Sequence, residues 1–261
     1  MISIFLLEGK KLLSYKFQLV FSLLHPLFGF LVQYYLWGAL YATQYASGMS
    51  YSDDQMFTYY AVASILFVMI KTNSGMIANE FKNGLLDNEL VRPINLIKYR
   101  LWRSISERCL YTVFYLAMLF LLVAALKISA FGDISLIHLV SFVVFTILSF
   151  LISFFLDFIT GLLAMAIDEV WAVQAILSFI VNFISGYYIP LLLFPGHIEA
   201  IFQFTPFYYL FYFPAQIFTL SRIDQSIMKP LLIALFWVFA LVIMSNGICK
   251  RLSNGYSSYA G

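Results

Sequence analysis

The side chains that could do chemistry are few and scattered. His25, His138 and His197 lie far apart in the chain, and Cys109 and Cys249 are the two cysteines. No His-Glu-x-x-His motif and no Ser/His/Asp set is formed by their spacing. Lone histidines of this kind read as interfacial or packed side chains, and the cysteines as ordinary apolar ones. The phosphate-cradling pattern G-x-x-x-x-G-K-S/T is missing as well, so the chain cannot hydrolyse ATP alone. No catalytic residue and no metal site is expected. What remains is charge in unusual places. Lys71 and Asp157 each interrupt an apolar run long enough to cross a bilayer. A charge at the centre of such a run costs about 2.5–3.5 kcal/mol on insertion scales. Either the two pair or line a polar vestibule, or Lys71 snorkels to nearby headgroups.

The other concentration of charge runs from Asn79 to Arg108. Glu80, Phe81 and Lys82 precede Gly84, which suits the end of a short charged helix. Arg92-Pro93 marks a turn. Beyond it, Ile94, Ile97, Leu101 and Ile105 make one apolar stripe, with Lys98, Arg100 and Arg103 around it. That pattern predicts a second helix lying along the membrane and leading into the next span. The same loop reads equally well as a basic anchor that only sets topology.

The elements that must position these residues are membrane helices. Of the 261 residues, 62% are hydrophobic and 11% charged, whereas a soluble domain is nearer half apolar and a quarter charged. One water-soluble core of this size could not hide the excess, and a net charge of +2 argues against nucleic acid. Six apolar runs predict an all-α integral membrane protein with six spans. They are Phe17 to Tyr41, Met56 to Ile77, Cys109 to Leu126, Ile137 to Leu163, Val170 to Ile189 (ended by Pro190) and Met228 to Cys249. The first run resembles no cleavable signal peptide and is expected to stay as an anchor.

Lysine and arginine concentrate in the N-terminal segment, in 78–108 and at Lys250-Arg251. These parts, with both termini, should therefore be cytoplasmic. The 164–169 loop should be cytoplasmic too, although it carries Asp168 and Glu169 and no basic residue. Residues 1–16 place Ile2, Phe5, Leu6, Gly9, Leu12 and Leu13 on one stripe opposite Lys10 and Lys11, as an interfacial amphipathic helix does. The apolar segment 190–227 holds Pro190, Pro195, Pro206 and Pro214 and cannot be one clean span. It predicts two short helices, around 197–204 and 207–220. Broken backbone at that depth must be buried in protein or line a cavity. The rings of Phe207, Tyr208, Tyr209, Phe211, Tyr212 and Phe213 gather there, half of them read as an aromatic belt.

Several stretches carry a resemblance: Glu80-Phe81-Lys82-Asn83-Gly84-Leu85-Leu86, Leu90-Val91-Arg92-Pro93-Ile94, Gly161-Leu162-Leu163-Ala164, Ser185-Gly186 with Ile189-Pro190-Leu191 and Phe194-Pro195, and Thr205-Pro206-Phe207 with Tyr212-Phe213-Pro214. In their order and spacing they resemble a permease of the ABC transporter superfamily, in the type-2 exporter group. More narrowly, they are similar to a small bacterial family of paired permeases. The resemblance implies a single transmembrane domain over 1–261. Within it come a connecting helix at 1–16, a coupling helix in 79–108 and short re-entrant helices in 190–227. It implies no cofactor in this chain; ATP and Mg would sit on a separate ATPase present in two copies. A second permease chain, related but different, would complete the assembly in a bacterial cytoplasmic membrane. Members of this group are linked to export of drugs, peptides or other hydrophobic compounds. Acidic Glu80 departs from relatives that often carry a basic residue there.

The expected function is thus the permease subunit of an ATP-driven exporter. Glu80, Phe81, Lys82, Gly84, Arg92 and Pro93 would couple it to the ATPase, and Lys71, Asp157, Phe207, Tyr208 and Tyr212 would lie on the translocation path. The alternative is a secondary transporter or channel working alone. A membrane-embedded enzyme comes third, for want of a catalytic cluster.

Overall fold

The computed structural model describes residues 7, 9–10, 14–43, 51–71, 96–126, 135–163, 170–219 and 227–257, and among these there are helices and turns but no strand. Helix α1 is Lys16–Tyr41, α2 Asp53–Ile70, α3 Leu96–Leu126, α4 Leu136–Leu163 and α5 Val170–Ile184. Two short helices follow, α6 Gly196–Phe202 and α7 Tyr212–Thr219, with 3-10 turns at Leu191–Leu193 and Phe207–Tyr209. Helix α8, Met228–Ser257, ends the described chain.

Among the described residues four helices are long and apolar enough to cross a membrane, over Phe17–Tyr41, Leu96–Ala124, Leu136–Leu162 and Met228–Arg251. They carry large apolar side chains on the outside, among them Phe21, Phe28, Phe120, Phe236 and Phe239. In water such a surface would aggregate; facing lipid it is stable. The protein is a multi-pass membrane protein.

Helix α2 is built differently. It opens with Asp53, Asp54 and Gln55 and carries Thr58, Tyr59, Tyr60 and Ser64. Twelve of its 18 residues are nonetheless buried, because α1, α3, α4 and α7 pack around it. A helix enclosed by protein can hold hydroxyl groups that a lipid-facing helix cannot, provided each finds a partner. Its start is set by a capping box. Ser52 Oγ accepts from the Gln55 amide, and the Ser52 amide donates to Gln55 Oε1 at 2.9 Å. The two aspartates then lie in the positive first turn.

The sequence expectations are met unevenly. The third span and the amphipathic stripe before it are one continuous helix, α3, of 31 residues. No glycine or proline lies within it to separate a membrane-parallel piece from a crossing piece. At about 1.5 Å per residue it is some 46 Å long, well beyond a hydrocarbon core of about 30 Å. Helix α5 stops at Ile184, before Pro190, because Gly186 takes a left-handed conformation (φ 82°). The helix containing Lys71 ends at Ile70, with Lys71 as its extended cap. The coupling residues Glu80, Phe81, Lys82, Gly84, Arg92 and Pro93, most of the 1–16 helix and the 164–169 loop lie outside the described residues.

Candidate functional site

Lys71 leaves α2 in an extended conformation (φ −68°, ψ 114°). That turn aims its side chain back over the helix, and Nζ sits 4.4 Å from the centroid of the Phe67 ring. An ammonium over an aromatic face is held by the ring quadrupole. Phe67 is itself stacked, on His25 at 5.7 Å and on Tyr187 at 4.8 Å between centroids. Rings from α1, α2 and the turn after α5 thus form one column beside the lysine.

Two cavities meet at this column. The smaller, about 190 Å³, lies between the end of α2, α4, α5 and residues 207–211, and contains Lys71 and Asp157 together. Its remaining wall is largely apolar, with Leu156, Leu177, Phe207 and Phe211. The larger, about 560 Å³, lies between α1, α2, α3 and α5 and is lined by His25, Lys71, Glu107, Arg108 and Gln174 among others. Lys71, Gln174 and Ser178 line both cavities and so form the neck between them.

The charges in these walls are organised. Asp157 and Arg108 both act electrostatically on Lys71. Arg108 Nη2 donates to Glu107 Oε1 at 2.9 Å, and the guanidinium lies 5.1 Å from the centre of the Tyr111 ring. Gln174 differs, for its Nε2 is buried and has no hydrogen-bond partner among the described residues. Neither Gln174 nor His25 was a sequence candidate. One amide in an apolar run leaves no spacing signal.

The other path candidates separate. Phe207 lines the smaller cavity. Tyr208 and Tyr212 lie instead in a buried polar core, with Tyr212 fully enclosed. The Tyr212 hydroxyl donates to Glu199 Oε1 at 3.2 Å and is held by Gln216 Nε2. The Tyr59 hydroxyl donates to the Gly186 carbonyl at 2.6 Å, and that of Tyr60 to the Tyr188 carbonyl at 2.8 Å. Ser149 Oγ on α4 donates to the Tyr209 carbonyl. Side chains from α2 and α4 therefore satisfy carbonyls that the broken segment after α5 cannot satisfy by itself. Tyr209 and Phe211 are buried in the same place, so four of the six rings are packed core, where half of the cluster is expected from sequence to form a belt at the interface. Nearby, outside the helices, burial pushes the Tyr51 phenol up to about 12.

Among the described residues no three His, Cys, Asp or Glu side chains gather in a metal-binding group. The arrangement suits reversible binding of a molecule that is part apolar and part polar.

No curated protein matches the chain. The family model of ABC-2 family transporter proteins matches residues 27–260. That match takes in every helix from α2 to α8, the smaller cavity and the broken segment between α5 and α8, while the larger cavity also draws on Gln18, Ser22, Leu23, His25 and Pro26 ahead of it. With long lipid-facing helices around an internal polar site, the chain belongs to the ABC-2 transporter family as a membrane permease.

Proposed function

We propose that this permease exports a hydrophobic compound, drug or peptide across a bacterial cytoplasmic membrane, driven by a separate ABC ATPase present in two copies. The observation that carries the reading is the pair of joined cavities inside a family-matched permease. They provide a largely apolar wall with the Lys71 and Asp157 charges in it and a more polar chamber beside it, as an amphiphilic cargo requires. The sequence has no phosphate-binding loop, so ATP and Mg belong to the partner. Energy then arrives through a contact. The segment with Glu80, Phe81, Lys82, Gly84, Arg92 and Pro93 is the proposed docking element.

In this reading the chain has six spans. Helices α2 and α5 join the four long apolar ones, and α6 and α7 re-enter from the outer face. Both termini are cytoplasmic, residues 1–16 lie in the headgroup plane, and a second, related permease completes the complex. The test is purification of the tagged chain from its own cells in mild detergent. An ATPase and a second permease should copurify, and vanadate should block cargo efflux from the reconstituted complex. Efflux by the purified chain alone, abolished by ionophores and untouched by vanadate, would sink the reading. That result is what the alternative, a stand-alone secondary transporter or channel, requires. The favouring observation for the alternative is that Lys71 and Asp157 share one cavity.

A further inference from the structure

The two cavities are unlike each other, and one buried donor stands at their junction. The smaller has about 190 Å³, with Lys71 and Asp157 in its wall and apolar walls from Leu156, Leu177, Phe207 and Phe211. An apolar protein cavity of about 150 Å³ is known to accept benzene. The smaller cavity is therefore sized for an aromatic ring system or a short branched alkyl group. The larger, at about 560 Å³, falls within the range of about 300–1,000 Å³ typical of small-molecule sites. Its polar lining suits whatever follows the apolar group.

Gln174 lines both. Its buried Nε2 has no hydrogen-bond partner among the described residues. A buried donor left unmade is costly, and native proteins tolerate it chiefly where a ligand or water completes it. Lys71, beside it at the neck, brings further N–H donors and is steadied over Phe67 at 4.4 Å. Gln174 and Lys71 thus bring N–H donors to the junction, and Asp157, in the wall of the smaller chamber, acts electrostatically on Lys71. Glu107, the carboxylate of the larger cavity, is engaged by Arg108 at 2.9 Å.

We infer that the neck is a recognition site for a hydrogen-bond acceptor carried on a ring-sized apolar body. The apolar group enters the small chamber, and a carbonyl or carboxylate oxygen accepts from Gln174 Nε2 and Lys71. This rests on the permease reading and specifies its cargo: an acceptor-bearing aromatic or aliphatic amide, ester or acid, and not a bare hydrocarbon. Gln174 is then the residue that determines specificity.

Four matched probes test it: naphthalene, naphthamide, naphthoate and naphthylmethylammonium. Binding to the full chain in nanodiscs is measured by fluorescence, with empty nanodiscs subtracted for partition into lipid. Naphthamide and naphthoate should bind roughly tenfold or more tighter than naphthalene, the scale of one buried hydrogen bond. Gln174→Leu should remove the preference for naphthamide. Gln174→Glu, which replaces the donor with an acceptor, should shift the preference towards naphthylmethylammonium. Leu156→Trp should fill the small chamber and weaken all four. Equal binding of the four probes to the unaltered chain would overturn the assignment, as would a preference retained in both Gln174 variants. No ATPase is present in this assay. Its failure thus removes the recognition site without touching the exporter reading, and failure of an ATPase to copurify leaves the probe selectivity standing.

Discussion

The Tyr59 hydroxyl donates a 2.6 Å hydrogen bond to the carbonyl oxygen of Gly186, 127 positions further along the chain. Tyr59 is fully buried in the middle of the fold, and Gly186 is the residue that ends α5. One phenol thus fixes the point at which the chain stops being a long helix and becomes the broken segment.

Tyr59→Phe should lower stability by about 1–3 kcal/mol, because the Gly186 carbonyl is then left buried without that donor. Tyr60→Phe should cost less. The Tyr188 carbonyl that Tyr60 serves also accepts from Gln33 Nε2, at 3.4 Å. Thermal unfolding of both variants in the same detergent checks the order. Equal melting temperatures would show that the second donor contributes nothing.

Gly186→Ala should be destabilising by about 1–3 kcal/mol from backbone strain alone, since φ is 82° there. The added Cβ would also meet Tyr212 Cβ and the Tyr59 hydroxyl oxygen at 3.0 Å each. Both neighbours are packed on all sides and cannot easily move. Unfolding temperature and the detergent-extracted yield report the effect, and an unchanged value for both would mean the turn relaxes freely.

Lys71 and Asp157 line one cavity, Lys71 exposed and Asp157 half-buried, so removing one charge leaves the other in a partly apolar wall without it. Lys71→Met and Asp157→Asn should each reduce cargo efflux tenfold or more while the protein still inserts. Lys71→Asp combined with Asp157→Lys should recover a substantial part of the activity. A double exchange no better than either single change, with both neutral variants fully active, would rule the pair out.

Phe81→Ala should weaken ATPase copurification by about 2 kcal/mol, or some thirtyfold, if Phe81 is the buried anchor of the docking segment. Gly84→Val should act in the same direction by disfavouring a left-handed helix end. Insertion and unfolding temperature should stay near those of the unaltered chain. Normal association and normal coupled efflux in both variants would move the contact to another loop, with 164–169 the next candidate.

Composition and run length made the helical membrane fold legible, and prolines located the broken segment well. The apolar run put the start of α2 at Met56, whereas the Ser52–Gln55 capping box starts it at Asp53, a signal that run length does not read. The end of α5 was misplaced because Pro190 is the louder breaker. Gly186 ends the helix through a positive φ that depends on Tyr59 and Tyr212 packing around it, and no local pattern encodes those neighbours. For the candidate site, unusual charge pointed to Lys71 and Asp157. Gln174, His25 and the Glu107–Arg108 pair join it through the meeting of helices distant in sequence. The tyrosines at 208 and 212 were visible as a cluster, but their partners on α2 and α6 were not.

The unbroken α3 has a mechanical consequence. A helix about 46 Å long that pivots near its midpoint through about ten degrees moves its two ends in opposite directions by about 4 Å each. Leu96, beside the segment that bears Arg92 and Pro93, and Leu126 at the far end are therefore the two tips of one seesaw. Helix α3 rests against α2 and α1, and its Glu107 and Arg108 sit in the wall of the larger cavity. These two residues fall near the fulcrum, where the rod turns through the same angle as at its tips but travels little. A tilt of the rod would turn the charged wall in place and leave the chamber's width nearly constant.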